Sequence, residues 1–555
     1  MKKYWQSIEE YKQNSNPAED NSKLEKQESN AEFPIEGLTD DEIRGKSNRR
    51  DFLKMLGFTV GYAAIATSCE TPVRKAIPYL NQPQEVVPGI ANYYASTFFD
   101  GQDYCSILVK TREGRPIKIE GNELSPISRG GTSARVQSSV LSLYDEARFR
   151  EPLKKNEKAD WETIDAEIIS KLEKLSSTGK KIVMLSSTII SPATKKLIGE
   201  FQVKFPGTAW VSYDTISASA LLQANEMQFG AKTIPSYHFE KADLIVGFNA
   251  DFLGNWLSPV EFAKQYSSRR NLINGLSMSR HLQYESGMSL TGSNADERVS
   301  IKPSDEGAVL LNLYNEIANT VGASTYNVPA SPVDVHGLAL ELLRNKTKSL
   351  LVSGSNDLGI QLIVNAINNL LGNYGHTIDL SKPMFIRQGI DQEMTRLVED
   401  MANGNVGAML IYNVNPAYDY PDAKKFADEM SKVSLSISFS DRIDETADLV
   451  EYVCPDNHYL ESWNDAEPKK GYYSLAQPAI QKIFNTRQFQ DSLIRWMGSD
   501  TDYAAYLEAY WEQELFSRQD QFISFSDFWY QAVHDGIMHI EQTEEDQPAF
   551  QDVPL

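Results

Sequence analysis

From Trp161 onward the chain repeats one unit: a short aliphatic run, a turn, then an amphipathic stretch. Residues 181–185 (KIVML) read as a buried strand, and residues 193–205 as a helix announced by Ser191-Pro192, a cap residue followed by a proline in the first turn. The rhythm continues through a strand at 210–213, a helix at 217–228, a strand at 243–248 and a helix at 259–269. It resumes with strands at 349–354, 407–412 and 435–439, separated by helices at 360–371 and 422–432. Parallel strands need crossover helices of about this size, so the pattern predicts βαβ units. The expected fold is α/β, with two doubly wound Rossmann-like lobes at 161–330 and 331–500. A small β-rich lobe precedes them at 99–160, where runs at 106–110 and 117–120 flank a polar turn containing Gly114.

Doubly wound sheets bind ligands beyond the carboxyl ends of their strands. Three of those ends carry glycine and asparagine: Gly247 with Asn249, Gly354 with Asn356, and Asn413 with Asn415. Such residues let backbone amides approach a nucleotide phosphate, and they also simply end strands. No G-x-G-x-x-G or Walker lysine accompanies them to decide between the two.

Fifty-four lysines and arginines against 76 aspartates and glutamates give a net charge of −22, which excludes a nucleic-acid binder that needs a basic face. The three cysteines, Cys69, Cys105 and Cys454, form no C-x-x-C pair, so neither a disulfide framework nor a thiolate cluster follows from them. Seven histidines offer no pair at metal-ligand spacing; His534 and His539, five apart, fall on different helical faces. The densest polar group is His458 with Glu461, Trp463 and Asp465.

Residues 1–47 are polar and poor in aliphatics, a disordered or partner-ordered arm. Residues 48–69 then place Arg49 and Arg50 before a mildly apolar stretch that is too short to span a bilayer and ends in small residues, the pattern of a twin-arginine export signal. Cys69, after Ala66-Thr-Ser, is the candidate for lipidation. Residues 70–98 carry four prolines between Pro72 and Pro88, which favours an extended strap over a continuous helix or strand.

Seven segments taken in order resemble molybdopterin oxidoreductases of the dimethyl-sulfoxide-reductase type. They are GRPIKIEGNELSPISRGG, YDEARFREPLKK, DWETIDAEI, ADLIVGFNADFLGNWLSPVEFAKQY, TGSNADERVSIKPSDEGAV, GAMLIYNVNPAYDYPD and ETADLVEYVCPDNHYLESWNDAEPKKGYYSLAQPAI. With the export signal and the strap, the chain is more narrowly similar to the large B subunit of alternative complex III. The resemblance implies a [4Fe-4S] segment that needs four thiolates, of which only Cys105 remains. It also places Asp214 and Ser217 where relatives hold molybdenum, or where a helix recruits caps.

The expected function is therefore a cofactor-poor structural subunit of a quinol-oxidising respiratory complex on the periplasmic face of the cytoplasmic membrane. Iron–sulfur clusters and haem c would sit in a ferredoxin-like domain and c-type cytochrome partners, beside membrane quinol-binding subunits. Two alternatives stand. One is an active oxidoreductase binding molybdopterin guanine dinucleotide through the six loop residues; the other is an envelope lipoprotein that reuses the fold. The aromatic, then acidic stretch 501–555 lacks the further lobe and cysteine-rich domain the resemblance implies, so the chain is either a fragment or is completed by a separate polypeptide.

Overall fold

The computed structural model describes residues 89–271, 277–541 and 546–554, all within the compact unit Pro83–Leu555. The readings of the arm, of Arg49 and Arg50, and of Cys69 lie outside the described residues. No helix among the described residues is long and apolar enough to cross a membrane.

The small β-rich lobe begins earlier than expected. Ala91–Phe99 pairs along its whole length with Tyr104–Arg112, so the end of the predicted strap is a strand. Tyr104–Arg112 turns into Arg115–Gly121 through Glu113 and Gly114, both at positive φ, as a tight hairpin demands. Alternate residues Cys105, Ile107 and Val109 face inward, against Ile119 and against Val136 and Val140 of the helix Ala134–Ser142.

The main sheet has seven strands. In spatial order they are Glu157–Lys158, Leu153–Lys154, Tyr452–Val453, Leu435–Ser438, Val406–Tyr412, Lys181–Ser186 and Thr208–Ser212. The last five run parallel; Lys181–Ser186, Val406–Tyr412, Leu435–Ser438 and Tyr452–Val453 are largely buried, while the edge strand Thr208–Ser212 is only half-buried. Ser191 caps the helix Pro192–Lys204 by accepting the Thr194 N–H at 2.9 Å, as its Ser-Pro signature predicts. A four-stranded parallel sheet follows the order Glu297–Ser300, Arg280–Glu285, Leu244–Phe248, Ser349–Ser353.

Both sheets correct the expected division at residue 330. Val406–Tyr412 lies beside Lys181–Ser186, and Ser349–Ser353 beside Leu244–Phe248, so each sheet draws strands from both sides of that boundary. A third sheet went unread. Ile537–His539, Tyr472–Ala476, Asn464–Lys469, Ile378–Met384 and Ile234–Tyr237 pair antiparallel across it. It ties the C-terminal stretch to the body, where Trp511 and Phe528 are fully buried in the largest core cluster.

Candidate functional site

Strand order in the seven-stranded sheet reverses between the parallel neighbours Lys181–Ser186 and Val406–Tyr412: the chain proceeds from the first to Thr208–Ser212 on one side and from the second to Leu435–Ser438 on the other, so the loops leaving those two strands splay apart and open a crevice. Asn413, at φ +55°, donates to the Ser187 hydroxyl at 3.0 Å across it. A cavity of about 600 Å³ occupies this crevice, within the range that holds small ligands. Its walls come from the loops after the five parallel strands, together with Phe98, Phe99 and Asp100 from the small lobe.

The charge of this cavity is one-sided. Asp100, Asp419, Asp441, Asp444, Asp456 and Asp465 line it against one cation, Arg442. That cation is already engaged, since its Nε and Nη2 donate to Asp441 at 2.9 and 3.0 Å. Burial pushes the Asp456 carboxyl up to about 8, even though it accepts the N–H groups of Asn457 and Phe489 at 2.8 and 3.0 Å. Asp465, bonded by Ser191 and by the Trp511 indole, is pushed up to about 6 by burial.

His458 shows why this polar group is not a nucleophilic dyad. Its Nδ1 accepts the Leu460 N–H at 3.2 Å, which leaves the proton on Nε2, 2.8 Å from the Ser142 hydroxyl. The ring therefore donates to Ser142 and does not act as its base. Burial, reinforced by the Arg148 guanidinium, holds the imidazole down to about 4 and keeps it neutral. With Glu461 it forms a capping box on the short turn Tyr459–Glu461.

Of the sequence candidates, Asn413 and Asn415 line the cavity. Asn415 holds the opposite loop, accepting from the Thr446 hydroxyl at 2.7 Å and donating to Glu445 at 2.7 Å. Gly247, Asn249, Gly354 and Asn356 belong to the four-stranded sheet. There Asn249 and Ser353 both donate to the buried Glu306, at 2.6 and 2.7 Å, and that carboxylate fills the position between the two loops. Asn356 accepts from the Ala220 N–H and donates to Asp391. A Cβ on Gly247 would meet the Gln283 side chain at 2.1 Å, so its glycine serves packing.

Gly354 passes so close to the neighbouring loop that a Cβ there would lie 2.3 Å from the Asn249 carbonyl oxygen. Gly354→Ala is expected to destabilise the protein by about 1–3 kcal/mol through forced backbone displacement, read from the shift in urea midpoint.

Asp214 is neither a helix cap nor an open metal ligand. The helix Ser219–Phe229 starts from Ala218 without a side-chain cap, and the Ser217 hydroxyl accepts the Ser219 N–H at 3.0 Å. Asp214 instead bonds the loops around Thr188 and Gln388. Cys105 and Cys454 are buried free thiols raised by burial, and no group of three metal-binding side chains occurs among the described residues. The loops after Lys181–Ser186 and Leu435–Ser438 supply about a third of the cavity lining and were missed, although the strand-end rule applies equally to them.

A pterin dinucleotide would need unengaged amide or cationic donors for its pyrophosphates in these crevices. Between the loops after Leu244–Phe248 and Ser349–Ser353 the donors face Glu306, and in the cavity the lining is acidic with its arginine taken. The residues present do not fit that group.

No protein-family model matches the chain. It is similar to the menaquinone reductase, molybdopterin-binding-like subunit of Nitratidesulfovibrio vulgaris, 25% identical over 436 residues, which cover 70% of this chain and 62% of that protein. The chain thus aligns with less than two thirds of that relative's length. Among solved structures, acetylene hydratase from Pelobacter acetylenicus matches with a TM-score of 0.62 at 13% identity, covering 80% of this chain and 74% of that one. That likeness shows the fold alone, a mixed α/β architecture with several sheets, as the seven segments implied.

Proposed function

From the molybdopterin-oxidoreductase fold as a starting point, we propose that this chain is a structural, non-redox subunit of a quinone-linked respiratory oxidoreductase of the alternative complex III or menaquinone reductase kind. Cys105 carries the reading. In the segment where the resemblance calls for an iron–sulfur cluster, the one cysteine sits fully buried in a strand, in contact with apolar neighbours. A lone inward-facing thiol with a raised pKa is a small apolar residue, since a cluster needs four thiolates. The menaquinone reductase name of the sequence relative supports the respiratory context.

In this reading iron–sulfur and c-haem groups reside in partners, membrane subunits handle the quinone, and the chain lies on the periplasmic face, directed there by Arg49 and Arg50. The acidic surface suits partners with basic faces. What this chain contributes is a large folded body in which donors at the strand ends are engaged by its own carboxylates.

The test is elemental analysis for molybdenum, tungsten and iron on the purified full chain, with pterin fluorescence on the same sample. Substoichiometric metal and pterin, with copurification of haem-bearing and iron–sulfur subunits from the native membrane, is the expected result. Near-stoichiometric metal and pterin would replace the reading with an active oxidoreductase. A chain isolated alone, with neither cofactor nor redox partner, would favour the lipoprotein.

A further inference from the structure

We propose that Asp214 fills a latent oxyanion nest with the chain's own carboxylate, sealing the first crevice from within against phosphate and carboxylate ligands. Its Oδ1 accepts the Thr188 N–H at 3.0 Å. Its Oδ2 accepts the Thr188 hydroxyl at 2.7 Å, the Gly389 N–H at 2.9 Å and the Gln388 N–H at 3.1 Å, the last shared with the Thr188 hydroxyl at 2.7 Å. Three backbone amides and one hydroxyl from two loops converge on one carboxylate. Strand-end loops offer this donor set to anions, because fixed amide dipoles stabilise negative charge without reorganisation.

Two further features mark the position as an anion site. Arg387 is almost completely buried, and its guanidinium donates only to the carbonyls of Ile216, Ile386 and Gln102, at 3.3, 2.7 and 3.2 Å. Among the described residues no salt bridge neutralises it, and Asp214 is the foremost of the carboxylates supporting it, ahead of Asp100 and Asp103. Gly389 is required by the close approach, as a Cβ there would stand 2.9 Å from the Asp214 nitrogen and 3.0 Å from its Oδ2. Thr188 also lines the cavity, so the nest lies at its edge. Glu306 repeats the arrangement between the loops after Leu244–Phe248 and Ser349–Ser353 with side-chain donors.

Removing the carboxyl group leaves three amides without their anion and a buried guanidinium without the foremost charge supporting it, while the cavity gives solutes a path to them. Formate matches the deleted group in size and charge. Asp214→Ala is therefore expected to melt several degrees below the wild type in sodium chloride and to regain at least half of that loss in sodium formate at equal ionic strength. The wild type, whose nest is full, is expected to show no formate-specific shift. Formate raising neither protein, or both equally, would overturn the proposal. Should Asp214→Ala fail to accumulate in chloride, refolding yield with and without formate becomes the readout. Recovery in formate supports the nest; insolubility in both salts overturns it. The outcome does not depend on the respiratory reading: a metal-loaded protein whose Asp214→Ala variant responds to formate would retire that reading and keep this one.

Discussion

Glu461→Ala is expected to destabilise the folded protein by about 3–5 kcal/mol, the range found when one partner of a buried ion pair is removed. Arg148 and Glu461 side chains are 1% and 0% exposed, with Nη2 and Oε2 2.7 Å apart. Glu461 also accepts the N–H groups of His458 and Ile483 at 2.9 and 3.0 Å, so the truncation strands a buried guanidinium and two amides together. Arg148 retains only the Leu143 carbonyl and the face of Phe484. Glu461→Gln, which keeps acceptors for the amides, is expected to lose less. A double variant, Arg148→Met with Glu461→Leu, is expected to recover much of the loss by removing both charges at once. Urea unfolding with an unchanged m-value is the measurement. A loss below ~1 kcal/mol for Glu461→Ala would mean that water reaches the pair, as in exposed ion pairs.

Asp456→Asn is expected to gain stability over the wild type as the pH rises from about 6.5 to 8. Asp456 has its folded pKa raised from the ordinary 3.8 to about 8. The folded state thus binds a proton that the unfolded state has released, and this contribution is full below pH 3.8 and lost as pH rises through 8. One proton sets the limiting slope at ~1.4 kcal/mol per pH unit. At lower pH two neighbours oppose each other: Asp465, raised to about 6, loses its contribution as pH rises, while His458, lowered to about 4, loses its contribution as pH falls below 6.5. The asparagine keeps an oxygen for the Asn457 and Phe489 amides, so the difference between the two proteins isolates the one titration. Melting curves that run parallel from pH 6.5 to 8 would show that Asp456 ionises normally.

The strands and helices were readable because each carries a local signature. Pro259–Arg269 was read to the residue, and Ser191-Pro192 fixed the start of the following helix. Pairing was not readable, because nothing local in Val406–Tyr412 says that its neighbour is Lys181–Ser186. The five-stranded antiparallel sheet escaped for a related reason. Asn464–Lys469, sequence NDAEPK, lacks β-propensity and forms through tertiary pairing alone. At the crevices, glycine and asparagine marked the right strand ends. Whether the Asn249 donor faced a ligand or a carboxylate depended on Glu306, which lies far away in sequence.

The interleaving of strands has a consequence for synthesis. A nascent chain that has emerged as far as residue 330 holds Lys181–Ser186 and Leu244–Phe248, each with one edge bare, because their partners Val406–Tyr412 and Ser349–Ser353 have yet to be made. Bare edges on aliphatic strands attract one another between molecules. The gene therefore has no useful midpoint at which to cut, and an N-terminal half made alone should be recovered as aggregate. The ribosome must deliver more than two hundred further residues after Ser186 before the main sheet can close.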